Sequence, residues 1–253
     1  MDVDADPHDR QKRISGWNQE KVSAQNVMVV GAGALGNEVV KLLLQLGVQK
    51  ISLADFDVVS KANLNRCVFF SSEDAEKRAL KAEVIAREAR KQWSSVAVTP
   101  LISEVEKIPE EKWQEFDFVF GCLDNLGARM HANAHSYAKA VFIDGGTTGF
   151  MGKVQVVRSP GACFECGLGK KDYGRLWRKY NCVGEVVDWI DPKMPALATT
   201  TSVVAAAQVN EFIKLVHGLE KESLVGKYLF YNGLTGATAV YDVPRRADCP
   251  VHG

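Results

Sequence analysis

Neither sign of charge is in surplus in this chain. Its 31 lysines and arginines are matched by 31 aspartates and glutamates over 253 residues. That balance removes the electrostatic case for nucleic acid or an anionic membrane as principal partner. Long apolar runs are missing too, since none approaches the roughly 18–20 residues a membrane span requires. The opening "MDVDADPHDRQKR" is polar and begins acidic, the reverse of a secretory leader, so a cytoplasmic protein is expected. Cysteine is scarce. Six in a chain of this length argue against a disulfide framework and for metal or thiol chemistry. No internal repeat, low-complexity tract or proline-rich linker divides the sequence.

What is present is an ordinary globular composition, 46% hydrophobic and 25% charged, long enough to enclose a substantial core. Residues 10–25 read as a short amphipathic helix with apolar positions Ile14, Trp17 and Val22. "NVMVVGAGALG" is an apolar strand breaking into glycines, and "NEVVKLLLQLG" a helix. "KISLADFD" is a second buried strand, "KRALKAEVIAREARKQW" a helix and "SVAVTPLIS" a strand. "FDFVFGCLD", "ARMHANAHSYAKA" and "VFIDGGTTG" continue the alternation to about residue 150. Such alternation implies a parallel sheet with helices on both faces. Beyond it, "GKVQVVRS", "KYLFYNG" and "GATAVYDV" look antiparallel, and "ALATTTSVVAAAQVNEFIKLVHG" reads as a long helix of small residues. The expected class is therefore α/β, Rossmann-like and doubly wound, a mostly parallel sheet continued by antiparallel strands. The charged, irregular segment from Gly167 to Pro195 is expected to be a mobile loop.

Gly31, Gly33 and Gly36 form G-x-G-x-x-G between the first strand and its helix. Glycines there allow a tight turn and close approach of backbone N–H groups to a phosphate at the positive end of the helix. Asp55 follows Gly36 by nineteen residues, at the end of the next strand, where a carboxylate can accept ribose hydroxyls. Alone, such a motif is also compatible with a structural turn. The residues that follow favour a triphosphate over a redox dinucleotide. Asn63 and Arg66 lie in one short stretch, Lys81 shortly after, and Asp124 with Asn125 at the end of a later strand. Cationic and amide donors neutralise phosphates, and a carboxylate at a strand end can hold Mg²⁺. Singly, Lys81 reads as a solvated helix lysine and Asp124 as a helix cap; their joint occurrence carries the argument.

Together, "DRQ" at 9–11, "GAGALG", "DFDVVSKANLNR", "CLDN", "CFEC", the small-residue helix and the terminal "CPVH" resemble the ubiquitin-activating-enzyme superfamily of ThiF/MoeB-type adenylyltransferases. Its bacterial members adenylate the sulfur carriers of molybdopterin and thiamine synthesis. The resemblance covers nearly the whole chain. It implies that Asp55 holds the ribose of ATP, that Asn63, Arg66 and Lys81 contact phosphates, and that Asp124 serves Mg²⁺, with Asp57 and Asn125 in the same site. It further implies that Arg10 reaches the ATP of the other subunit of a homodimer. The chain would be one adenylation domain over 1–253. An N-terminal arm (1–25) would precede a nucleotide-binding half (26–150) and a zinc, crossover-loop and protein-substrate half (151–253). Three positions depart from the pattern: Cys67 replaces a Gln, Leu123 a Thr, and Lys81 lacks the usual Gly-x-x before it.

Cys163 with Cys166 forms C-x-x-C, and Cys249 with His252 forms C-x-x-H. Two such pairs suit tetrahedral Zn²⁺ in a structural knuckle, tying the end of the chain to its middle. Cys182 lies in "GRLWRKYNCVGEVVDW", after Lys170, Lys171, Arg175, Arg178 and Lys179, offset by Asp172. Cations near a thiol favour the nucleophilic thiolate. Cys67 and Cys122 read as packing residues. The reading that follows is ATP-dependent adenylation of a ubiquitin-like protein, then thioester formation on Cys182 and transfer to a conjugating enzyme. Three others stay open: a sulfur-carrier adenylyltransferase without an obligatory thioester, an NAD-dependent oxidoreductase, and a non-catalytic subunit.

Overall fold

The computed structural model describes residues 6–169, 172–173 and 195–252. Strands β1 (Asn26–Val30), β2 (Lys50–Ala54), β3 (Ala97–Leu101), β4 (Phe118–Gly121), β5 (Val141–Thr148), β6 (Met151–Val157), β7 (Lys227–Asn232) and β8 (Ala237–Asp242) build one sheet. Its order is β3-β2-β1-β4-β5-β6-β7-β8. Pairing is parallel from β3 through β5 and antiparallel from β5 to β8. Short helices α1 (Asp9–Lys12), α2 (Gln19–Ala24), α4 (Ser72–Glu76) and α6 (Glu110–Trp113) accompany four longer ones. These are α3 (Ala34–Leu46), α5 (Lys81–Gln92), α7 (Leu126–Ser136) and α8 (Ala198–Val216).

Successive side chains of a strand point to opposite faces, and here both faces are covered. Val27, Val29, Leu53 and Phe120 join a core with Val39, Leu43 and Leu44 of α3, Ile85 of α5 and Phe212 of α8. Met28, Val30, Val119 and Phe142 join a second core with Trp113 of α6, Ala128 and Ala132 of α7, and the Cys163–Cys166 turn. That two-sided burial is why β1 reads as an unbroken apolar run. The doubly wound expectation is the fold observed. At the far edge of the sheet β8 is largely exposed among the described residues.

Two boundaries differ from the sequence reading. Residues 10–25 are not one helix. Gly16, at φ +80°, breaks them into α1 and α2, and Asn18 caps α2 by accepting the Lys21 N–H. Ile14 is left 58% exposed, whereas Val22 is fully buried. The helix expected from Lys77 begins at Lys81, because Arg78 takes a left-handed φ of 50° and Leu80 bridges to Val58. The expected mobile loop between Gly167 and Pro195 falls almost wholly outside the described residues.

Gln208 of α8 ties the sheet together at the end that matters for function. Its buried Nε2 donates to Gly121 O at 3.1 Å and Ile143 O at 2.9 Å, bridging β4 and β5 where they approach the glycine loop. Gln208→Leu keeps the volume and strips both carbonyls of this donor. A loss of about 1–3 kcal/mol is expected in urea unfolding.

Candidate active site and metal centre

Val30 is paired with Ala54 of β2 on one side and Gly121 of β4 on the other. Gly31, Asp55 and Cys122 therefore emerge side by side at the carboxyl ends of the strands. The chain order reverses there, which in open α/β sheets is where ligands bind. Gly31 has φ +99°, and a Cβ on it would lie 2.5 Å from Cys122 O. A Cβ on Gly36 would lie 1.9 Å from Gly31 O, so only hydrogen lets α3 pack against its own entry loop. Gly33 is different. Its backbone (φ −73°, ψ −158°) is open to any residue, and a Cβ there would meet nothing within 4 Å. Gly33 is also the N-cap of α3 and offers no side-chain cap. The first-turn N–H groups thus face open space that a phosphate could fill.

Asn37, which sequence reasoning passed over, holds this loop in shape. It is fully buried, donates to Ala32 O at 3.0 Å and Gly33 O at 2.9 Å, and accepts the Phe69 N–H at 3.2 Å. The available signal was a polar residue directly after the third glycine, on the helix face that must be buried.

Asp55 accepts the Ala32 N–H at 2.7 Å with one oxygen and the Asp57 N–H at 2.8 Å with the other. Burial pushes its carboxyl above the ordinary carboxylate range, with the Lys81 charge opposing. Lys81 opens α5 and is not a solvated lysine: its side chain is 12% exposed and pairs with Asp57 at 2.7 Å. Asn63 Oδ1 accepts from the Ser60 N–H and hydroxyl, closing a capping box around the turn Lys61–Asn63. Arg66 donates to Ala62 O and to Asn65 Oδ1, folded over its own loop. After β4, Asn125 takes the cap of α7 by accepting the Ala128 N–H at 2.8 Å. Asp124 is left exposed, and its carboxylate has no protein partner among the described residues.

Arg10 is not brought to this cluster within one chain. Its helix α1 is anchored through Gln11, whose Nε2 donates to Leu46 O at 3.1 Å, at the far end of α3. Thirteen residues of α3 separate that point from the glycine loop, on the order of 20 Å.

On the other sheet face, Cys163, Cys166, Cys249 and His252 converge, their ligand atoms all within 4.8 Å of one another. Cys163 Sγ lies 3.9 Å from Cys166 Sγ and 3.4 Å from Cys249 Sγ, and Cys166 Sγ lies 3.2 Å from His252 Nε2. Zinc–sulfur bonds of about 2.3 Å would set the sulfurs about 3.8 Å apart, so the donor set suits tetrahedral Zn²⁺. Burial first, and then the hydrogen bond with Cys249, pushes the Cys163 thiol up to about 12, so a cation is what would favour its thiolate. The Arg246 N–H donates to Cys166 Sγ at 3.5 Å, and Arg245 donates to His252 O at 3.0 Å. Cys182 and its five flanking cations lie outside the described residues. Cys67 and Cys122 are buried. Burial pushes the Cys67 thiol up to about 11 and raises Cys122 as well, which suits packing residues.

Residues 8–251 match the ThiF family. The chain belongs to the ThiF family. Among its relatives, the NEDD8-activating enzyme E1 catalytic subunit of Arabidopsis thaliana is 33% identical over 90% of this chain and 65% of its own length. SUMO-activating enzyme subunit 2 of Dictyostelium discoideum is 32% identical over 58% of this chain and 22% of its own length. The ThiF-family chain thus spans only part of these longer proteins. Among solved structures, E. coli MccB with AMPCPP and MccA superposes with a TM-score of 0.78 at 21% identity, covering 99% of this chain and 75% of MccB. PaaA superposes with a TM-score of 0.68 at 19% identity over 89% of this chain and 75% of its own. At these identities the solved structures speak for the fold.

Two substitutions separate the demands of the fold from those of a ligand in this ThiF-family loop. Gly33→Ala should lower the melting temperature of the free protein by no more than about 2–4 °C, because nothing crowds the new methyl and only the N-cap preference for Gly is lost, yet weaken nucleotide binding about tenfold or more. Gly36→Ala should cost more than about 3 kcal/mol, since backbone and not a flexible side chain stands in its way. Thermal melts with and without nucleotide compare the two. For the Cys₃His cluster, one equivalent of zinc is expected by elemental analysis, and Cys249→Ser should lose the metal and lower the melting temperature by several degrees.

Proposed function

We propose that this chain uses ATP to adenylate the C-terminal carboxylate of a protein or peptide substrate. The observation that carries the proposal is Asp124, a carboxylate freed from capping by Asn125 and exposed beside an open phosphate cradle. An NAD-dependent oxidoreductase would need no carboxylate and no Arg66–Lys81 cations at that point.

In this reading Asp55 accepts the ribose hydroxyls with the lone pairs its two backbone bonds leave over. The first turn of α3 receives phosphate, and Arg66, Lys81 and Asn63 turn from their local partners to the triphosphate, a stronger acceptor for charged donors. Asp124 would hold Mg²⁺, whose charge would stabilise the leaving pyrophosphate, with Asp57 and Asn125 assigned to the same site. A substrate carboxylate oxygen attacks the α-phosphorus, the bond to the bridging oxygen of the β-phosphate breaks, and acyl-AMP and pyrophosphate result. Fixed cations meet the charge that grows on the phosphoryl oxygens, so no protein nucleophile is required. Arg10, at the far end of α3 from its own glycine loop, would serve the site of a second copy.

Thioester formation on Cys182, followed by transfer to a conjugating enzyme, is the second reading, favoured by the five cations that precede that cysteine. Adenylation of a ubiquitin-like or other C-terminal peptide without an obligatory thioester takes precedence over it. The residues that this reading needs lie among those described, and the MccB structures, which include one with ATP and one with AMPCPP and MccA, share the fold over 93–99% of this chain.

ATP–pyrophosphate exchange tests the proposal. A peptide or ubiquitin-like protein with a free terminal carboxylate should support exchange and its C-terminal amide should not. Asp124→Ala should lower the exchange rate about 100-fold or more. Undiminished exchange in that variant would reject the assigned site. Full product formation by Cys182→Ala supports adenylation alone, whereas a reductant-sensitive adduct lost in that variant supports the thioester.

A further inference from the structure

Helix α7 begins directly after Asp124 and runs back toward the metal cluster. Three of its side chains, spaced four residues apart and so on one face, meet the metal-binding turn. The Arg129 guanidinium lies over the Phe164 ring at 4.9 Å while it pairs with the fully buried Asp144 of β5. Asn133 Oδ1 accepts the Phe164 N–H at 2.9 Å in a fully buried setting. Tyr137 stacks on the His252 ring at 4.9 Å and donates its hydroxyl to Gly161 O at 2.7 Å. Phe164 sits between the ligands Cys163 and Cys166, and His252 is itself a ligand. Arg129, Asn133 and Tyr137 thus each place one contact on Phe164 or His252, while Arg129 also holds Asp144 of β5 and Tyr137 the Gly161 carbonyl just before the turn.

The opposite face of α7 is held by softer means. His131 and His135, 4.3 Å apart, lean on Trp113 of α6. Buried Trp113 Nε1 and His131 Nε2 make no hydrogen bond. The direction-setting polar bonds of the helix are thus on its metal side. A helix of eleven residues moves as a rod, so a shift at Asn133 or Tyr137 is carried to its N-terminus, where Asn125 and Asp124 sit.

We propose that the Cys₃His cluster, acting through Asn133 and Tyr137, sets the position of Asp124. The metal centre would then govern Mg²⁺-dependent nucleotide binding as well as fastening the chain end, and Asn133 and Tyr137 are positioning residues. This rests on the assignment of Asp124 to Mg²⁺·ATP. A displacement of about 1 Å in such a group is enough to cost up to 100-fold.

The test uses the full chain with its zinc. Tyr137→Phe keeps the ring and loses the bond to Gly161, Tyr137→Leu loses both contacts, and Asn133→Ala loses the bond to Phe164. For each, zinc content, hydrogen exchange of backbone amides 124–129 without nucleotide, and ATP affinity with and without Mg²⁺ are measured. The expected result is retained zinc, faster exchange at 124–129, and a gain in ATP affinity from Mg²⁺ that is about tenfold smaller in Asn133→Ala and Tyr137→Leu than in the parent. Mg²⁺-free affinity should change less than about twofold, because the ribose and glycine-loop contacts stay in place. Zinc withdrawal from the parent should speed exchange at the same amides if the chain stays folded. If it unfolds, the zinc-retaining variants decide. Unchanged exchange and an unchanged Mg²⁺ gain in all three variants would overturn the inference. A parent protein whose ATP affinity never responds to Mg²⁺ would overturn instead the assignment on which it rests.

Discussion

A hydrogen atom at Gly36 in place of a methyl lets the start of α3 lie against the carbonyl of Gly31. That contact sets the depth at which the helix meets the sheet, and most of the molecule inherits it. The apolar face of α3 reaches Val27 and Val29 only from that depth, and α8 packs along the same side. Gly31 is driven into its left-handed turn, and the N–H groups of the first helical turn are left pointing outward. Asn37 then fixes the turn to the Phe69 backbone on the far side of the Arg66 loop. Core packing and the anion cradle are two consequences of one close approach.

The second half of the molecule answers a different problem. The second face carries a core of its own beside α6 and α7. Its core is completed by Phe164 and by cysteines brought from two distant stretches of chain. A metal ion on these four ligand atoms would hold together segments separated by more than eighty residues. Because such a site does not exist in the unfolded chain, metal binding there would add directly to folding stability. The Cys163–Cys166 turn lies directly against α7, whose N-terminus stands at the carboxyl ends of the strands.

Much of this was legible from residues alone. The glycine spacing, the acid at the end of β2 and the two short cysteine and histidine pairs are local patterns, readable because each is confined to a few residues. The unbroken apolar strands announced two-sided burial. Asn63, Arg66 and Asp124 stood out as donors and carboxylate near a phosphate motif. Less legible were features whose cause lies elsewhere in the chain. Nothing local says that Lys81 folds back on Asp57 instead of facing water, or that Arg78 breaks the helix that periodicity would start at Lys77. The interruption at Gly16 was missed because three apolar residues at helical spacing outweighed one glycine in the reading.

The sequence by itself determined the class of fold, a glycine loop opening onto a helix N-terminus and a set of three cysteines and a histidine able to hold a metal. Each depends on residue type and short spacing, and short spacing survives any arrangement of the remainder. Only the tertiary structure decided that Asp124 and not Asn125 was left without a partner among the described residues, since the two compete for one cap and packing of α7 awards it to Asn125. Only the tertiary structure, too, put Arg10 at the wrong end of α3 for its own loop and Asn133 against Phe164. Those outcomes arise from the relative placement of elements far apart in the chain, which is settled by burial and hydrogen-bond competition across the whole molecule.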